Sequence, residues 1–176
     1  MSKFDRIIGQ SKDLFMKKTK DYGTAWRILR STSLTDQLYI KAKRIRGIEE
    51  TGVQKVSDPI NLEYIGLINY SVMALIQLSL PADAPLEMDL AEVEELYDQN
   101  VKQTRDLLAK KNHDYGEVWR ELRISSLTDL ILMKLLRVKQ IENNDGKTIV
   151  SEGLDANYQD IINYAVFALI KIEEKI

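Results

Sequence analysis

The sequence predicts an all-α protein in which two copies of one unit pack as a pseudo-twofold helical bundle. Two observations predict this fold. A segment with the core Asp-Tyr-Gly at residues 21–30 recurs at residues 114–123, and apolar residues return at helical spacing along most of the chain. The 176 residues are 44% hydrophobic and 30% charged, so the chain has enough apolar surface to build a core.

The repeat extends through the whole unit. Ser-Leu-Thr-Asp at residues 33–36 recurs at residues 126–129, at the same offset as the first pair of segments. Ile-Asn-Tyr at residues 68–70 recurs at residues 162–164, after a shift of one residue within a polar turn. Similarity of this density indicates an internal duplication.

The duplication predicts the organisation of the chain. We expect a first repeat over residues 1–80, a linker over residues 81–87 and a second repeat over residues 88–176, packed together as one globular unit. The linker contains Pro81 and Pro85, and two prolines this close prevent a continuous helix from joining the repeats.

Each repeat is predicted to hold three long helices, A, B and C, with a short helical turn between A and B. Helix A is expected over residues 3–20 and 88–113, where apolar side chains recur every three or four positions. Gly23 and Gly116 follow these segments and suit the left-handed conformation that ends a helix.

The short turn carries Trp26 in the first repeat and Trp119 in the second. Helix B is expected over residues 33–50 and 126–143, because Ser-x-x-Asp at its start resembles a capping box.

Helix C is expected over residues 59–79 and 153–175 and is apolar nearly all round. One three-helix unit cannot bury such a helix alone. We therefore expect the two C helices to pack together about a pseudo-twofold axis, as in a dimer joined into one chain.

The composition limits the function. The 25 Lys and Arg residues against 27 Asp and Glu give a net charge of −2, which argues against a dedicated duplex nucleic-acid or membrane-surface binder. The chain has no cysteine, which excludes disulfides and thiolate chemistry. No apolar run reaches membrane-spanning length, so we expect a cytoplasmic protein without a membrane partner. Oligomerisation beyond the internal pseudo-dimer is left open.

Polar residues that recur in both repeats form the candidate ligand site. In a structural interpretation the tyrosines and tryptophans pack in the core and the basic residues pair with Asp21, Asp36 and their counterparts. In a functional interpretation they line a pocket where lysine and arginine bind phosphate and an aromatic side chain stacks on a base. The candidate ligand-binding residues are Asp21, Arg27, Arg30, Asp36, Lys41, Arg44, Asn69, Asp114, Arg120, Arg123, Asp129, Lys134, Arg137 and Asn163, and the candidate base-stacking residues are Tyr22, Trp26, Tyr115 and Trp119.

A magnesium site would need several carboxylates that converge on the ion. The second repeat offers Glu152 and Asp160 as candidate ligands, whereas the first repeat has Asp58 and Gly66 at those positions. We therefore expect any metal-dependent chemistry in the second repeat, and no catalytic residue is assigned.

The motif Lys-x-x-Asp-Tyr-Gly-x-x-Trp, followed by Ser-Leu-Thr-Asp and then by Lys41 and Arg44, resembles the nucleotide modification associated domain of bacteria and phages. The resemblance covers nearly all of both repeats. It extends to Asn69 in the first and Asn163 in the second. The family's acidic positions are better kept in the second repeat. The resemblance implies a role in nucleotide modification and names no reaction.

Three hypotheses follow. The first is a protein that binds a nucleotide or another phosphate-bearing small molecule between the Asp-Tyr-Gly-x-x-Trp-Arg segment and helix B. The second is a magnesium-dependent nucleoside triphosphate pyrophosphohydrolase similar to the MazG type, although its Glu-Glu-x-x-Glu motif is absent. The third is a non-catalytic scaffold, which an ion pair from Asp36 to Arg27 or Arg44 and the lack of a cavity would favour.

Overall fold

The computed structural model describes residues 2–55, 59–149 and 152–174, and all regular structure in these ranges is helical. The six long helices are α1 (Ser2–Tyr22), α2 (Ser31–Thr51), α3 (Ile60–Ser79), α4 (Leu90–Tyr115), α5 (Ile124–Asn143) and α6 (Leu154–Glu174). Two short 3₁₀ turns, Ala25–Ile28 and Val118–Glu121, each follow the first helix of a repeat. The predicted all-α tandem repeat is confirmed.

The first helix of each repeat ends at the predicted glycine. Gly23 has φ +68° and Gly116 has φ +67°, a backbone conformation that costs glycine little. The Gly23 N–H donates to Thr19 O and the Gly116 N–H to Asn112 O, both at 2.8 Å. These turns start the tryptophan segment at the same place in both repeats.

The predicted capping boxes at the start of helix B are wrong. α2 begins at Ser31 and α5 at Ile124, each preceded by an extended arginine, Arg30 or Arg123, that makes no side-chain cap bond. Ser33 and Ser126 lie inside the first turn. The Ser33 N–H donates to the backbone oxygen of Arg30 at 3.0 Å, so the first turn is closed by main-chain atoms.

The helices of the two repeats interleave around a shared core. α3 packs along α6, and α2 packs along α5, so the second and third helices each pair with their counterpart. The first helix of each repeat also packs against the third helix of the other, α1 on α6 and α4 on α3. The predicted packing of the C helices is confirmed, and neither repeat has a core of its own.

Reciprocal hydrogen bonds connect the repeats in the buried interior. The Tyr64 hydroxyl lies 2.7 Å from Thr128 Oγ1, and the Tyr158 hydroxyl lies 3.2 Å from Thr35 Oγ1. Both threonines also donate to a glutamate, Thr35 to Glu142 at 3.1 Å and Thr128 to Glu49 at 3.3 Å. The threonine of each Ser-Leu-Thr-Asp motif therefore bonds to the other repeat, as a pseudo-twofold axis requires.

No helix in the described ranges is both long and apolar enough to cross a lipid bilayer.

Candidate functional site

A cavity of about 490 Å³ lies in the first repeat. Its walls come from the C-terminal end of α1, the tryptophan turn and α3, with Lys41 reaching in from α2. Four residues from the sequence-based candidates contribute to these walls, and they are Tyr22, Trp26, Lys41 and Asn69. The fold therefore brings part of the predicted site together around one space.

In the second repeat, two lysines hold a carboxylate of the same chain. Lys134 Nζ lies 2.9 Å from Asp160 Oδ2, and Lys111 Nζ lies 3.1 Å from Asp160 Oδ1. The side chains of Lys134 and Asp160 are each 11% exposed. A charge pair this buried is favourable only with good geometry on both oxygens, which the second lysine supplies.

The first repeat keeps both lysines but lacks the carboxylate. Lys18 and Lys41 are the counterparts of Lys111 and Lys134, and Gly66 stands where the second repeat has Asp160. The absent side chain lets Lys41 cross directly over α3, because a Cβ at Gly66 would lie 2.8 Å from Lys41 Cδ and Cε. Lys18 is exposed and makes no ion pair with any described residue. Two ammonium groups thus border the cavity, and no carboxylate of the described residues pairs with both.

The acidic residue of the first repeat lies one helical turn earlier on α3. Glu63 Oε1 lies 3.3 Å from Arg44 Nη1, and its Oε2 lies 4.0 Å from Lys41 Nζ. The counterpart of Glu63 is Asn157. The carboxylate has therefore moved by three residues between the repeats, and this shift leaves the space above Gly66 open. In the structural interpretation of the sequence, Asp21 and Asp36 were the partners of the basic residues. The structure instead pairs Lys41 and Arg44 with Glu63.

Aromatic packing also separates the two repeats. Trp119 stacks on Phe167, with ring centroids 4.3 Å apart and planes 4° from parallel. Met73 replaces Phe167 in the first repeat, and Trp26 instead makes a tilted contact with Phe15 at 6.3 Å. The cavity beside Trp119 and Phe167 measures about 30 Å³. Loss of the stacked ring is one reason why the first repeat has the larger space.

The two buried asparagines differ in their partners. Asn69 Nδ2 donates to Ser11 O at 3.0 Å, and its Oδ1 accepts from the Tyr97 hydroxyl at 2.8 Å. Phe4 is the counterpart of Tyr97 and has no hydroxyl. Among the described residues, no group donates to Asn163 Oδ1. Asn69 is therefore held rigidly at the cavity wall, with one amide N–H beyond its bond to Ser11.

The residues at the end of the first helix are mostly exposed. Asp21 and Asp114 are both at the surface. Tyr22 lines the cavity although it is 64% exposed, whereas Tyr115 is 76% exposed. The first-repeat tyrosine thus borders the cavity despite its exposure.

Arg27 binds to structure outside the cavity. Its guanidinium donates to Gln77 Oε1 and, at 3.1 Å, to Ala84 O. It therefore fixes the segment between α3 and α4. Arg30 and Arg123 are exposed ahead of α2 and α5.

In the second repeat, Arg120 lies over the Trp119 ring, 4.5 Å from its centroid, and bonds to Glu174 at 3.0 Å. Arg137 is exposed on α5. Neither arginine is brought to the Lys111–Asp160–Lys134 cluster by any contact in the structure.

The two aspartates of the Ser-Leu-Thr-Asp motifs face the other repeat. Asp36 Oδ1 lies 3.8 Å from Lys139 Nζ, and Asp129 Oδ1 lies 3.5 Å from Arg46 Nη1. These reciprocal pairs link α2 with α5 at the surface. Asp36 therefore pairs with neither Arg27 nor Arg44.

The two candidate magnesium ligands, Glu152 and Asp160, lie in different environments. Glu152 is exposed, and both oxygens of Asp160 are engaged by lysines. Across residues 2–55, 59–149 and 152–174, no three acidic or histidine side chains converge as a metal-ligand set. Asp58 lies outside the described residues. Asp160 is thus engaged in ion pairs, and no third acidic or histidine side chain joins it and Glu152 within the described ranges.

Tyr164 has a raised pKa because it is largely buried, and the nearby Asp160 carboxylate raises the pKa of its hydroxyl further. The phenol thus stays protonated at neutral pH and can serve as a hydrogen-bond donor.

Lys18, Glu63 and Gly66 are the site residues that sequence reasoning did not assign to ligand binding. Lys18 belongs to the repeated Lys-x-x-Asp motif, but a lysine near a helix C-terminus has an ordinary electrostatic explanation. The useful signal is the alignment of the two repeats on helix C. Glu63 and Gly66 align with Asn157 and Asp160, so the alignment shows a carboxylate that changes position.

Comparison with known proteins identifies the family. The profile of nucleotide modification associated domain 1 matches twice, at residues 18–78 and 111–172. These ranges contain both lysine pairs, both tryptophan turns and almost all of α2, α3, α5 and α6, but only the last turn of α1 and of α4. Neither the comparison with curated proteins nor that with solved structures gives a match. The chain therefore belongs to the nucleotide modification associated domain 1 family and carries its domain as a tandem duplication.

Proposed function

We propose that the first repeat binds a nucleotide or a related phosphate-bearing small molecule in the cavity beside Gly66. The proposal rests on a comparison of the equivalent lysine pairs in the two repeats. Lys111 and Lys134 hold the Asp160 carboxylate, whereas Lys18 and Lys41 border an open cavity. The second repeat therefore indicates what the pair in the first repeat is arranged to hold, which is a small anion.

The walls of the cavity suit the rest of a nucleotide. Trp26 and Tyr70 present aromatic surface, on which a base can stack with a gain of about 1–3 kcal/mol. Lysine binds phosphate as a point charge, so it tolerates several orientations of the anion. A volume of about 490 Å³ is in the usual range for small-molecule sites.

This proposal assigns the ligand to the first repeat, whereas the sequence predicted ligand-binding residues in both repeats and metal-dependent chemistry in the second. The reason is that Asp160 already occupies the second lysine pair. The family description associates the domain with nucleotide modification, which also supports a nucleotide ligand. The cavity and the Asp36–Lys139 pair favour ligand binding over the scaffold hypothesis.

Calorimetric titration of the full chain with nucleoside mono- and triphosphates tests the proposal. We expect saturable binding of one ligand per chain. Gly66→Asp should abolish it, because the new carboxylate would pair with Lys41 as Asp160 pairs with Lys134. The change is sterically tolerable, since the colliding atoms are the flexible end of Lys41.

Gly47→Asp is the matched control. It makes the same substitution within α2, where a Cβ at Gly47 would meet nothing within 4 Å. This variant should bind like the parent chain. No binding of any nucleotide by the folded parent at millimolar concentration, or unchanged binding by Gly66→Asp, would rule the proposal out.

A further inference from the structure

We infer that the cavity selects a nucleoside monophosphate and binds it without a divalent cation. This inference rests on the proposed function and narrows it to one substrate class. The single phosphate lies between Lys18 and Lys41, and the base packs against Trp26.

The second repeat defines the size of the anion. Asp160 is one three-atom carboxylate, and its two oxygens satisfy both lysines at 2.9 Å and 3.1 Å. One anionic centre is thus enough to bridge the pair. A terminal phosphate can present two oxygens in the same way, because a phosphate group has three free acceptor oxygens.

The charge of the cavity matches one phosphate. Lys18 and Lys41 supply two positive charges, and a phosphate monoester carries about −1.5 to −2 at neutral pH. Arg44 adds little, because its guanidinium lies 3.3 Å from Glu63. A triphosphate would bring additional negative charge toward Glu63, which also lies in the cavity wall.

Proteins usually bind a nucleoside triphosphate as its magnesium complex, in which carboxylates and the phosphates hold the ion together. Glu63 is the acidic residue in the cavity wall, and it is already within 4.0 Å of Lys41 and 3.3 Å of Arg44. These residues therefore favour a ligand that needs no accompanying cation.

A further part of the cavity wall recognises the base. Asn69 is 7% exposed, lines the cavity and is fixed by Ser11 and Tyr97. Its amide keeps one N–H that can donate to a carbonyl or ring nitrogen of a base. The lysines that bind the phosphate thus come from α1 and α2, whereas the side chains that contact the base come from α3 and the tryptophan turn.

Calorimetry with matched ligand series tests the inference. For each of the four common deoxynucleosides, the free nucleoside, the 5′-monophosphate and the 5′-triphosphate are titrated into the full chain, with EDTA and with magnesium. Inorganic phosphate is titrated as well. For at least one base, the monophosphate should bind about tenfold more tightly than the nucleoside, inorganic phosphate and the triphosphate, with no effect of EDTA.

Variants separate phosphate binding from folding. Lys18→Gln and Lys41→Gln should each weaken monophosphate binding about tenfold and leave binding of the free nucleoside unchanged. Lys17→Gln is the control, since Lys17 lies next to Lys18 and is 70% exposed in a pair with Asp13. It should change neither affinity. A structural role of the lysines would weaken nucleoside and monophosphate alike and would overturn the inference.

The outcomes distinguish this inference from the proposed function. If the triphosphate binds more tightly than the monophosphate and Gly66→Asp abolishes that binding, the proposed function stands and the monophosphate class is wrong. If inorganic phosphate binds as tightly as the monophosphate, the base subsite is wrong. If none of these ligands binds, both proposals fail.

Discussion

At the residue scale, Gly66 and Asp160 occupy equivalent places and have opposite effects on the lysines beside them. Asp160 neutralises Lys111 and Lys134 and fills the space between them. Gly66 leaves room for Lys41 to lie across α3. One position thus decides whether the lysine pair is part of the core or part of a cavity.

Removal of the Asp160 carboxylate should destabilise the protein. Asp160→Ala would leave Lys134, 9% exposed, without the ion pair it makes in the structure. We expect a loss of about 3 kcal/mol in the free energy of unfolding, measured by chemical denaturation. Lys134→Met in the same chain should recover most of it, because an apolar side chain needs no partner.

Asp155→Ala is the control for this change. Asp155 is exposed in the first turn of α6, so its loss should cost less than about 1 kcal/mol. A cost below about 1 kcal/mol for Asp160→Ala itself would contradict the interpretation of a buried, paired charge.

Glu49 and Glu50 should contribute to stability with opposite dependence on pH. Burial raises the pKa of Glu49, whereas the hydrogen bond from Arg46 lowers the pKa of Glu50. The folded state therefore binds the Glu49 proton more tightly than the unfolded chain does. Its contribution is complete below the ordinary carboxyl pKa and is lost as pH rises through the raised value. The Glu50 contribution is present above the ordinary pKa and is lost as pH falls through the lowered one.

Denaturation of Glu49→Gln, Glu50→Gln and the parent chain between about pH 4 and about pH 7 measures both effects. Relative to the parent, Glu49→Gln should become more stable as pH rises, and Glu50→Gln less stable. Equal trends for the two variants would show that the environment of Glu49 has been misjudged. Glu49 also lacks a hydrogen bond that its counterpart Glu142 accepts, because Ile124 stands at the position of Ser31, which donates to Glu142 at 2.7 Å.

At the element scale, helix C carries the difference between the repeats. α3 has Glu63, Gly66 and Met73, whereas α6 has Asn157, Asp160 and Phe167. The neighbouring lysines are present in both repeats. We attribute the open and the closed form of the site mainly to these three side chains.

Exchange of these side chains should move the site to the second repeat. The triple change Asn157→Glu, Asp160→Gly and Phe167→Met keeps the net charge and copies the first-repeat pattern onto α6. In a Gly66→Asp background, which closes the first site, it should restore binding of one nucleotide per chain. Calorimetry measures the stoichiometry, and circular dichroism checks that the helices are intact. A folded variant that does not bind would show that other elements also determine the site.

Much of the helical framework could be predicted from the sequence, because the duplication provides two different sequences for each helix. Gly23 and Gly116 end their helices as expected, since only the backbone geometry of glycine matters there. Ser33 and Ser126 were misjudged because a cap depends on where the preceding chain turns. The site was less predictable. Whether Lys41 contacts Glu63, Asp36 or a ligand depends on how α2 is rotated relative to α3. The spacing of apolar residues in the sequence does not determine this rotation.

At the scale of the whole molecule, the two repeats share one hydrophobic core. Each first helix covers the third helix of the other repeat, and the Tyr64–Thr128 and Tyr158–Thr35 contacts cross the same interface. Separation would expose the apolar faces of α3 and α6 together. The repeats are thus not independent domains in the thermodynamic sense.

The full chain should therefore unfold in a single transition. Differential scanning calorimetry should give equal calorimetric and van't Hoff enthalpies. Tyr64→Phe should lower the free energy of unfolding by about 1 kcal/mol, because Thr128 loses a buried partner, without splitting the transition. Two separate transitions, one for each repeat, would contradict the interleaved packing.

The fusion of two units also removes a restriction that symmetry imposes. In a homodimer, one codon specifies the residue at both equivalent sites, so a change that strengthens the core at one site also closes the other. Here the two positions, Gly66 and Asp160, have diverged separately. One half of the duplication is free to be selected for stability while the other is free to be selected for the ligand that we propose.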